Sequence, residues 1–359
     1  MGVKLEHFVF AADGNFRLQL KVAVASLLVA SADSDRNIVI HVLDVGIGND
    51  AWDELVQVWR KLSESANFER HLIDESRFAG YRKWKGGLAA YARILLPELL
   101  RDVDYCLYAD CDTFFVSNPE ALDVYVGGEL ALYGHRIERG PFGCDDVVWL
   151  KKRGYVLRPE NYICSGFMIM NLARFRAENL SQGCFSFLDQ NPDSFTADQC
   201  AFNVACQGKI GLLPNGWGGF LDEAFRAGFT DCVHFAGSVP WNPPTTWAFY
   251  CGDHKFFRLW YQFAEVFCGE HGIEKRYYPP KGAVLARFIA WIAYPVLCVI
   301  ALSGIYPRCF ADHAKAIKMR ACNDLVEKVR RIVFRFVFSA RPTPQLDSVE
   351  VTPYSFMAT

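Results

Sequence analysis

The order of elements at the N-terminal end constrains the fold of this chain most strongly. Residues 7–12 form an apolar run that meets Asp13-Gly14-Asn15, which predicts a strand entering a turn. Apolar residues at helical spacing follow over residues 16–30, and residues 37–43 have the pattern of a second buried strand. Strand, turn, helix and strand in this order begin a nucleotide-binding α/β sheet. We therefore predict an α/β fold of the Rossmann-like type.

The later part of the chain continues this alternation. The predicted elements are a helix over residues 52–62, a strand over 68–73, a helix over 88–100, a strand over 105–109, a strand over 162–172 and a helix over 197–206. Residues 134–158 are rich in glycine and charged residues, which predicts a loop.

Two carboxylates follow the strand predicted over residues 105–109. In an extended segment, Asp110 and Asp112 would point to the same side and Cys111 would point into the core. Two carboxylates on one side repel each other unless a cation neutralises them. Mg²⁺ and Mn²⁺ prefer oxygen ligands and often bridge protein carboxylates to substrate phosphates. The alternative is that the aspartates only end a strand and begin a turn, which Asp favours.

Composition excludes some classes of protein. The chain has 359 residues, 52% of them hydrophobic, and a formal charge of −2, which indicates a globular protein without the basic field that nucleic acid requires. Its 13 cysteines are scattered, without a Cys-x-x-Cys pair or zinc spacing, so we expect reduced thiols in the cytosol. Residues 1–10 lack the long apolar run of a secretory signal.

Five ordered segments between residues 7 and 245 carry a resemblance to a known family. They are Phe10-Ala11-Ala12-Asp13-Gly14-Asn15, Tyr91-Ala92-Arg93, Leu107-Tyr108-Ala109-Asp110-Cys111-Asp112, Ala197-Asp198-Gln199 with Asn203, and His234-Phe235-Ala236-Gly237 with Pro240-Trp241. In this order the set resembles glycosyltransferase family 8, the retaining nucleotide-sugar transferases that include lipopolysaccharide and lipooligosaccharide galactosyl- and glucosyltransferases. The resemblance implies a GT-A-like nucleotide-diphospho-sugar transferase domain.

The resemblance also implies where a UDP-sugar binds. Asp13 would recognise the uracil ring, Asn15 the ribose, and Ala11 would lie in the same nucleotide site. A carboxylate can accept a hydrogen bond from the N–H of the uracil ring. The alternative for Asp13 and Asn15 is an Asx turn that ends a strand.

The metal site is implied in the same way. Asp110, Asp112 and His234 would ligate Mn²⁺ or Mg²⁺ that bridges the two phosphates, and oxygen ligands with one imidazole suit Mn²⁺. Gly237 would allow the backbone to approach the diphosphate. A lone histidine at the end of a strand can equally be structural.

Three further residues are implied around the sugar. Arg93 would contact the phosphate or the sugar of the nucleotide-sugar, and the alternative is an exposed arginine on a helix. Asp198 and Gln199 would line the reaction centre as the catalytic residues, and the alternative is that they begin a helix. Retention requires a double displacement, or attack by the acceptor on the face that the leaving group departs from.

Three positions depart from the family pattern. Cys164 stands where members commonly have asparagine, Cys200 where many have a second aspartate, and Val239 where many have a lysine. They keep open a catalytically impaired membrane adaptor that binds nucleotide-sugar. The other alternative is a phosphatase of the haloacid-dehalogenase type, which Asp110-Cys111-Asp112-Thr113 superficially resembles. That family requires Thr or Val at the next position, where this chain has Phe114.

The C-terminal region differs in charge from the rest of the chain. Residues 272–341 contain 13 Lys and Arg against four acidic residues and carry +9, so the remainder carries −11. Residues 288–306 are uncharged and just long enough to span a bilayer, but Pro295 interrupts them and both flanks are basic. An in-plane insertion followed by a basic helix over residues 326–338 on anionic headgroups fits better. A single span and a buried core helix remain as alternatives.

Together these observations predict two parts, a catalytic domain over residues 1–270 and a membrane-associating helical tail over residues 271–359. The predicted activity is metal-dependent, retaining transfer of galactose or glucose from a UDP-hexose to a cell-surface glycan or glycolipid acceptor. The predicted location is cytoplasmic and peripheral, on the inner face of the membrane.

Overall fold

The computed structural model describes residues 4–84, 87–137, 143–221, 230–236, 239–241 and 255–273. Gly237 and the predicted tail elements lie outside these residues. Within the described ranges, no helix combines the length and apolar character that a membrane span requires. The chain divides into two compact units, of which the first comprises residues 1–237 and 263–270. The predicted boundary at residue 270 and the membrane tail stay predictions.

In the described part of the chain, ten strands form two sheets. The strands are β1 (His7–Asp13), β2 (Val39–Val45), β3 (Asn67–Leu72), β4 (Tyr105–Ala109), β5 (Thr113–Phe115), β6 (Leu132–Arg136), β7 (Ile163–Asn171), β8 (Ile210–Leu212), β9 (Trp217–Phe220) and β10 (Cys232–His234). The large sheet has the order β3-β2-β1-β4-β7-β6-β8, in which β1 to β4 are parallel and β7 is antiparallel to β4 and β6. The small sheet has the order β5-β10-β9. The predicted α/β fold is confirmed, and its central sheet is mixed and rich in parallel strands.

The described helices are interspersed with these strands along the chain. They are α1 (Arg17–Ala30), α2 (Asn49–Leu62), α3 (Leu96–Leu99), α4 (Gly143–Lys152), α5 (Leu172–Ala177), α6 (Leu180–Gln190), α7 (Asp198–Ala205) and α8 (Lys255–Cys268), with 3-10 helices at Gly14–Phe16, Glu75–Phe78, Ala89–Leu95, Pro119–Tyr125 and Pro159–Asn161.

Two predicted elements differ from the structure. The helix predicted over residues 88–100 is a 3-10 helix followed by the single turn of α3. Pro97 explains the change, because proline has no N–H for the carbonyl of Arg93, and the Leu96 N–H bonds that carbonyl instead. The loop predicted over residues 134–158 contains α4. Glycine and proline precede this helix in the sequence and are typical of loops, so the pattern did not predict a helix here.

The strand order fixes the position of a ligand crevice. The chain lays β2 and β3 on one side of β1 and then places β4 on the other side, so β1 and β4 are neighbours. In open α/β sheets ligands bind outside the carboxyl ends of the strands at such a switch point. β1 ends at Asp13 and β4 ends immediately before Asp110. The fold therefore brings the two predicted binding motifs to one edge of the sheet.

Three histidines lie side by side on the first three strands. His41 Nε2 is 2.9 Å from His7 Nδ1, and His41 Nδ1 is 3.1 Å from both His71 Nε2 and Glu69 Oε2. Burial, together with the neighbouring imidazoles of His7 and His71, lowers the pKa of His41 to about 3, and Glu69 faces the same nitrogen that His71 faces. In the folded protein His41 is therefore neutral at physiological pH.

We expect this burial to make the protein acid-sensitive. Unfolded histidine binds a proton near pH 6.5 and folded His41 does so only near pH 3. Its contribution to the free energy of unfolding is therefore complete above pH 6.5 and is lost as the pH falls toward 3, by up to about 1.4 kcal/mol per pH unit. Urea unfolding in EDTA between pH 7 and pH 4 should show a shallower slope for His41→Gln than for the wild type. Equal slopes would contradict this assignment.

Candidate active site

The predicted metal-binding aspartates lie in a turn. The Thr113 N–H and hydroxyl both donate to the Asp110 carbonyl, at 3.1 Å and 2.7 Å. The prediction of an extended segment with alternating side chains was wrong here, because Asp favours the turn. Cys111 is nevertheless buried, and its thiol donates to the carbonyl of Ala11 on β1. This hydrogen bond connects the turn to β1. The Asp112 carboxylate is buried within the turn.

Strand pairing places a histidine beside this turn. β10 pairs with β5 so that His234 lies opposite Thr113, and the Phe235 N–H donates to the Asp112 carbonyl at 2.7 Å. His234 Nε2 is then 3.0 Å from Asp112 Oδ1 and 3.8 Å from Asp110 Oδ2. The two carboxylates of the turn therefore lie close to an imidazole that is 122 residues from Asp112 in the sequence.

The buried imidazole has an altered affinity for protons. Burial alone would lower the pKa of His234, but the Asp112 carboxylate raises it well above its ordinary value, with help from the Cys164 thiol. Cys164 Sγ lies 3.7 Å from Nδ1, on the other side of the ring. Without a metal, a proton therefore holds His234 to Asp112, and a divalent cation would take the place of that proton.

A glycine on β7 leaves room for an ion at this point. A Cβ atom on Gly166 would lie 2.3 Å from His234 Cε1 and 2.6 Å from Asp110 Oδ2, distances that real side chains do not tolerate. His234 and Asp110 can approach β7 and each other at this cradle only because residue 166 has no side chain. Neighbouring ligands of an octahedral ion such as Mg²⁺ are about 3 Å apart, which agrees with the spacing of Asp112 and His234. The residues present therefore fit Mn²⁺ or Mg²⁺.

Arg93 is a buried part of the same site. Its guanidinium lies 2.9 Å from Asp110 and 3.3 Å from Asp198, 4.3 Å above the ring of Tyr108, and donates to the carbonyl of Ser165. Burial lowers the pKa of Arg93, but the two carboxylates raise that pKa by more than burial lowers it, so the net shift is upward. The alternative of an exposed helical arginine was wrong. Its contact with phosphate or sugar stays a prediction.

Removing Arg93 is expected to destabilise the fold. Arg93→Ala would leave the buried Asp198 carboxylate, and the partly exposed Asp110 carboxylate, without their cation, which costs about 3–5 kcal/mol of the free energy of unfolding. Urea unfolding measures this loss, and Arg101→Ala on the surface, expected to change it by under about 0.5 kcal/mol, is the control. Adding Asp198→Asn should restore part of the stability, and a double variant no more stable than Arg93→Ala would refute the ion-pair account.

Asp198 begins α7 under backbone strain. Ala197 precedes it with φ of 51° and ψ of −123°, a conformation that costs a non-glycine residue on the order of 1–3 kcal/mol and recurs at functional sites. Burial raises the pKa of Asp198 to about 6, although Arg93 opposes the shift. Asp198 thus lies behind Arg93, connected through it to Asp110.

Gln199 is held by two partners. Its Oε1 accepts from the Ser165 N–H at 3.3 Å, and its Nε2 donates to Asp146 at 2.9 Å. Asp146 belongs to α4, in the stretch predicted to be a loop, so its approach to Gln199 had no sequence signal. Thr196 also donates to Asp146, at 3.2 Å. These bonds fix the amide beside Ser165 and Gly166.

The predicted nucleotide residues lie at the end of β1. Asp13 Oδ1 accepts from the Asn15 N–H at 2.8 Å, which is the Asx turn considered as the alternative. A Cβ on Gly87 would be 3.3 Å from Asp13 Oδ2, and one on Gly14 would be 2.9 Å from the Gly46 carbonyl, so this corner has little spare space. Recognition of uracil and ribose stays a prediction.

The positions that depart from the family pattern are partly explained. The Cys164 thiol contacts His234 and so lies beside the candidate metal-binding cluster. Cys200 is fully buried against Tyr162 and Thr196, so a core residue stands where many family members have a carboxylate.

Comparisons with known proteins agree with this arrangement. General stress protein A of Bacillus subtilis (strain 168) is 26% identical over 218 residues, which cover 56% of this chain and 69% of that protein. The galactosyltransferase LgtC, solved with donor and acceptor sugar analogs, superposes with a TM-score of 0.58 at 21% identity and covers 73% of this chain and 95% of its own. The bifunctional glycosyltransferase WbbM, solved in its apo form, superposes with a TM-score of 0.61 at 16% identity. This superposition covers 77% of this chain and about half of WbbM (51%).

At these identities the structural likeness shows the fold, which is GT-A-like. The sequence model described as glycosyl transferase family 8 matches residues 7–242, about two thirds of the chain. The resemblance predicted from the five ordered segments is confirmed. The chain belongs to glycosyl transferase family 8 and is a glycosyltransferase.

Proposed function

We propose that this glycosyltransferase is metal-dependent and retaining, and that it moves galactose or glucose from a UDP-hexose to a cell-surface glycan or lipid-linked acceptor. The observation that carries the proposal is the convergence of Asp110, Asp112 and His234 around the space left by Gly166. This cluster lies at the switch point between β1 and β4, where α/β sheets bind nucleotides.

The protein's own groups would position the reacting diphosphate. A divalent cation, when bound, supplies a Lewis acid that stabilises the negative charge gained by the UDP leaving group. Asp110, Asp112 and His234 would hold that cation. Arg93 keeps Asp110 in place through a 2.9 Å ion pair, and Tyr108 donates to the same carboxylate at 2.8 Å. Asp110 would thereby be oriented before the substrate arrives.

The residues nearest the sugar carbon would be Gln199 and Asp198. The bonds to Asp146 and Ser165 hold the Gln199 amide in one orientation, so it can face an oxocarbenium-like carbon without rotating. Both routes to retention remain compatible with this geometry: a double displacement, and acceptor attack on the leaving-group face.

We extend the proposal to the location of the enzyme. The +9 charge of residues 272–341 and the uncharged run at 288–306 support docking on anionic lipid at the cytoplasmic face. Such a position would give access to a lipid-linked acceptor. Co-flotation of the full chain with vesicles that contain or lack anionic lipid tests it, and failure to float with either would refute it.

The activity is tested by a panel of nucleotide-sugars with Mn²⁺, with UDP release as the readout. We expect release from UDP-galactose or UDP-glucose, and none in EDTA. UDP binding without release from any sugar nucleotide would instead favour the impaired adaptor. Phosphate release from a generic phosphoester without sugar transfer would favour the phosphatase.

A further inference from the structure

A second cluster of metal-ligating side chains lies on the first three strands, away from the Asp110 turn. We propose that His41, Glu69 and His71 form a zinc site. The three residues lie on the same face of the sheet, because His41 is the register partner of Glu69, and His71 is two residues further along β3. The site is independent of the proposed transfer reaction.

The donor atoms have the spacing of a metal site. His41 Nδ1 is 3.1 Å from Glu69 Oε2 and 3.1 Å from His71 Nε2, and the remaining separation, between His71 Nε2 and Glu69 Oε2, is 3.9 Å. With zinc–nitrogen distances of 2.0–2.1 Å, two ligands of a tetrahedral ion lie about 3.3–3.4 Å apart. Adjustments of a few tenths of an ångström would therefore place all three atoms on one ion.

The chemistry of the set selects the metal. Two imidazoles and one carboxylate suit Zn²⁺, whereas Mg²⁺ and Mn²⁺ favour sites richer in oxygen. Glu69 lies half exposed at the edge strand, so water can supply a fourth ligand and the ion can enter from solvent. The two clusters of this chain would thus differ in metal preference.

A fourth residue completes the arrangement. His41 Nε2, the nitrogen turned away from Glu69 and His71, lies 2.9 Å from His7 Nδ1 on β1. Metal-ligating histidines usually donate their second N–H to a carboxylate, a carbonyl or water, which fixes the ring and its tautomer, and here His7 Nδ1 can be the acceptor. His7 is therefore a positioning residue, and the ion would fasten the edge strand β3 to β2.

The test uses the full chain with Asp112→Asn and His234→Gln, which disable the first cluster. Titration with Zn²⁺, followed by calorimetry and by the visible absorption of bound Co²⁺, should show one tight site. Adding His71→Gln or Glu69→Gln should weaken Zn²⁺ binding at least about 100-fold, since even outer partners of metal ligands contribute 10–100-fold. Glu75→Gln, an exposed acid just beyond β3, is the control and should bind like the background.

Equal Zn²⁺ affinity with and without His71→Gln, or no tight site in the background, would overturn the proposal. If the background variant does not fold, amide hydrogen exchange of wild-type residues 67–72 decides. Zn²⁺ should slow that exchange in the wild type and leave it unchanged in His71→Gln. Slowing in both proteins would place the ion elsewhere.

Discussion

Asp112→Ala is expected to abolish Mn²⁺-dependent UDP release, with a loss of about a thousandfold or more. Asp112 is buried, 3.0 Å from His234, and its removal would leave only one carboxylate to hold the proposed cation. A metal stabilises the transition-state charge by several kcal/mol, and each 1.36 kcal/mol changes the rate tenfold. Initial rates of UDP release and calorimetric Mn²⁺ binding measure the effect.

The control for this substitution is Asp53→Ala, which removes an exposed carboxylate on α2. It should leave both rate and metal affinity unchanged, and far-UV circular dichroism should show that both variants are folded. Undiminished UDP release by a folded Asp112→Ala protein would refute the metal-ligand role of Asp112.

Gly166→Ala should have the second-largest effect. The new Cβ would lie 2.3 Å from His234 Cε1 and 2.6 Å from Asp110 Oδ2, so one methyl group displaces two of the three ligands. Misplacement of reacting groups by about 1 Å can cost about 100-fold in rate. We expect weaker Mn²⁺ binding and a rate loss of about that size.

Gly183→Ala is the matched control, because its Cβ would meet only Ala205 Cβ, at 3.3 Å, and because alanine favours helix α6. It should bind Mn²⁺ like the wild type. If Gly166→Ala also retained wild-type Mn²⁺ affinity, the cradle between β7 and His234 would not be the metal site.

The longer strands of the large sheet could be predicted from the sequence, whereas the short strands β5, β8, β9 and β10 were not predicted. The apolar runs that became β1, β2, β4 and β7 are each bounded by turn residues, so their period and their ends were both visible. The 3-10 helix at Ala89–Leu95 could not be predicted from the sequence, because its residues have the same apolar spacing as an α-helix. Only Pro97 indicates that a regular α-helix does not continue through this segment.

The residues of the candidate site could be predicted from the sequence, but the distances and contacts between them could not. Asp110, Asp112 and His234 were named from ordered motifs, but their approach depends on pairing between β5 and β10, which motifs do not encode. Asp146 carried no signal, because its role depends on where α4 packs. The position of Arg93 between two carboxylates also could not be predicted from the sequence.

The most direct measurement is an anomalous difference map from crystals soaked with Mn²⁺ and UDP. We predict a single strong peak beside Asp110, Asp112 and His234, in contact with the diphosphate. A map with no peak at this position, or with the His234 imidazole turned away from it, would contradict the account.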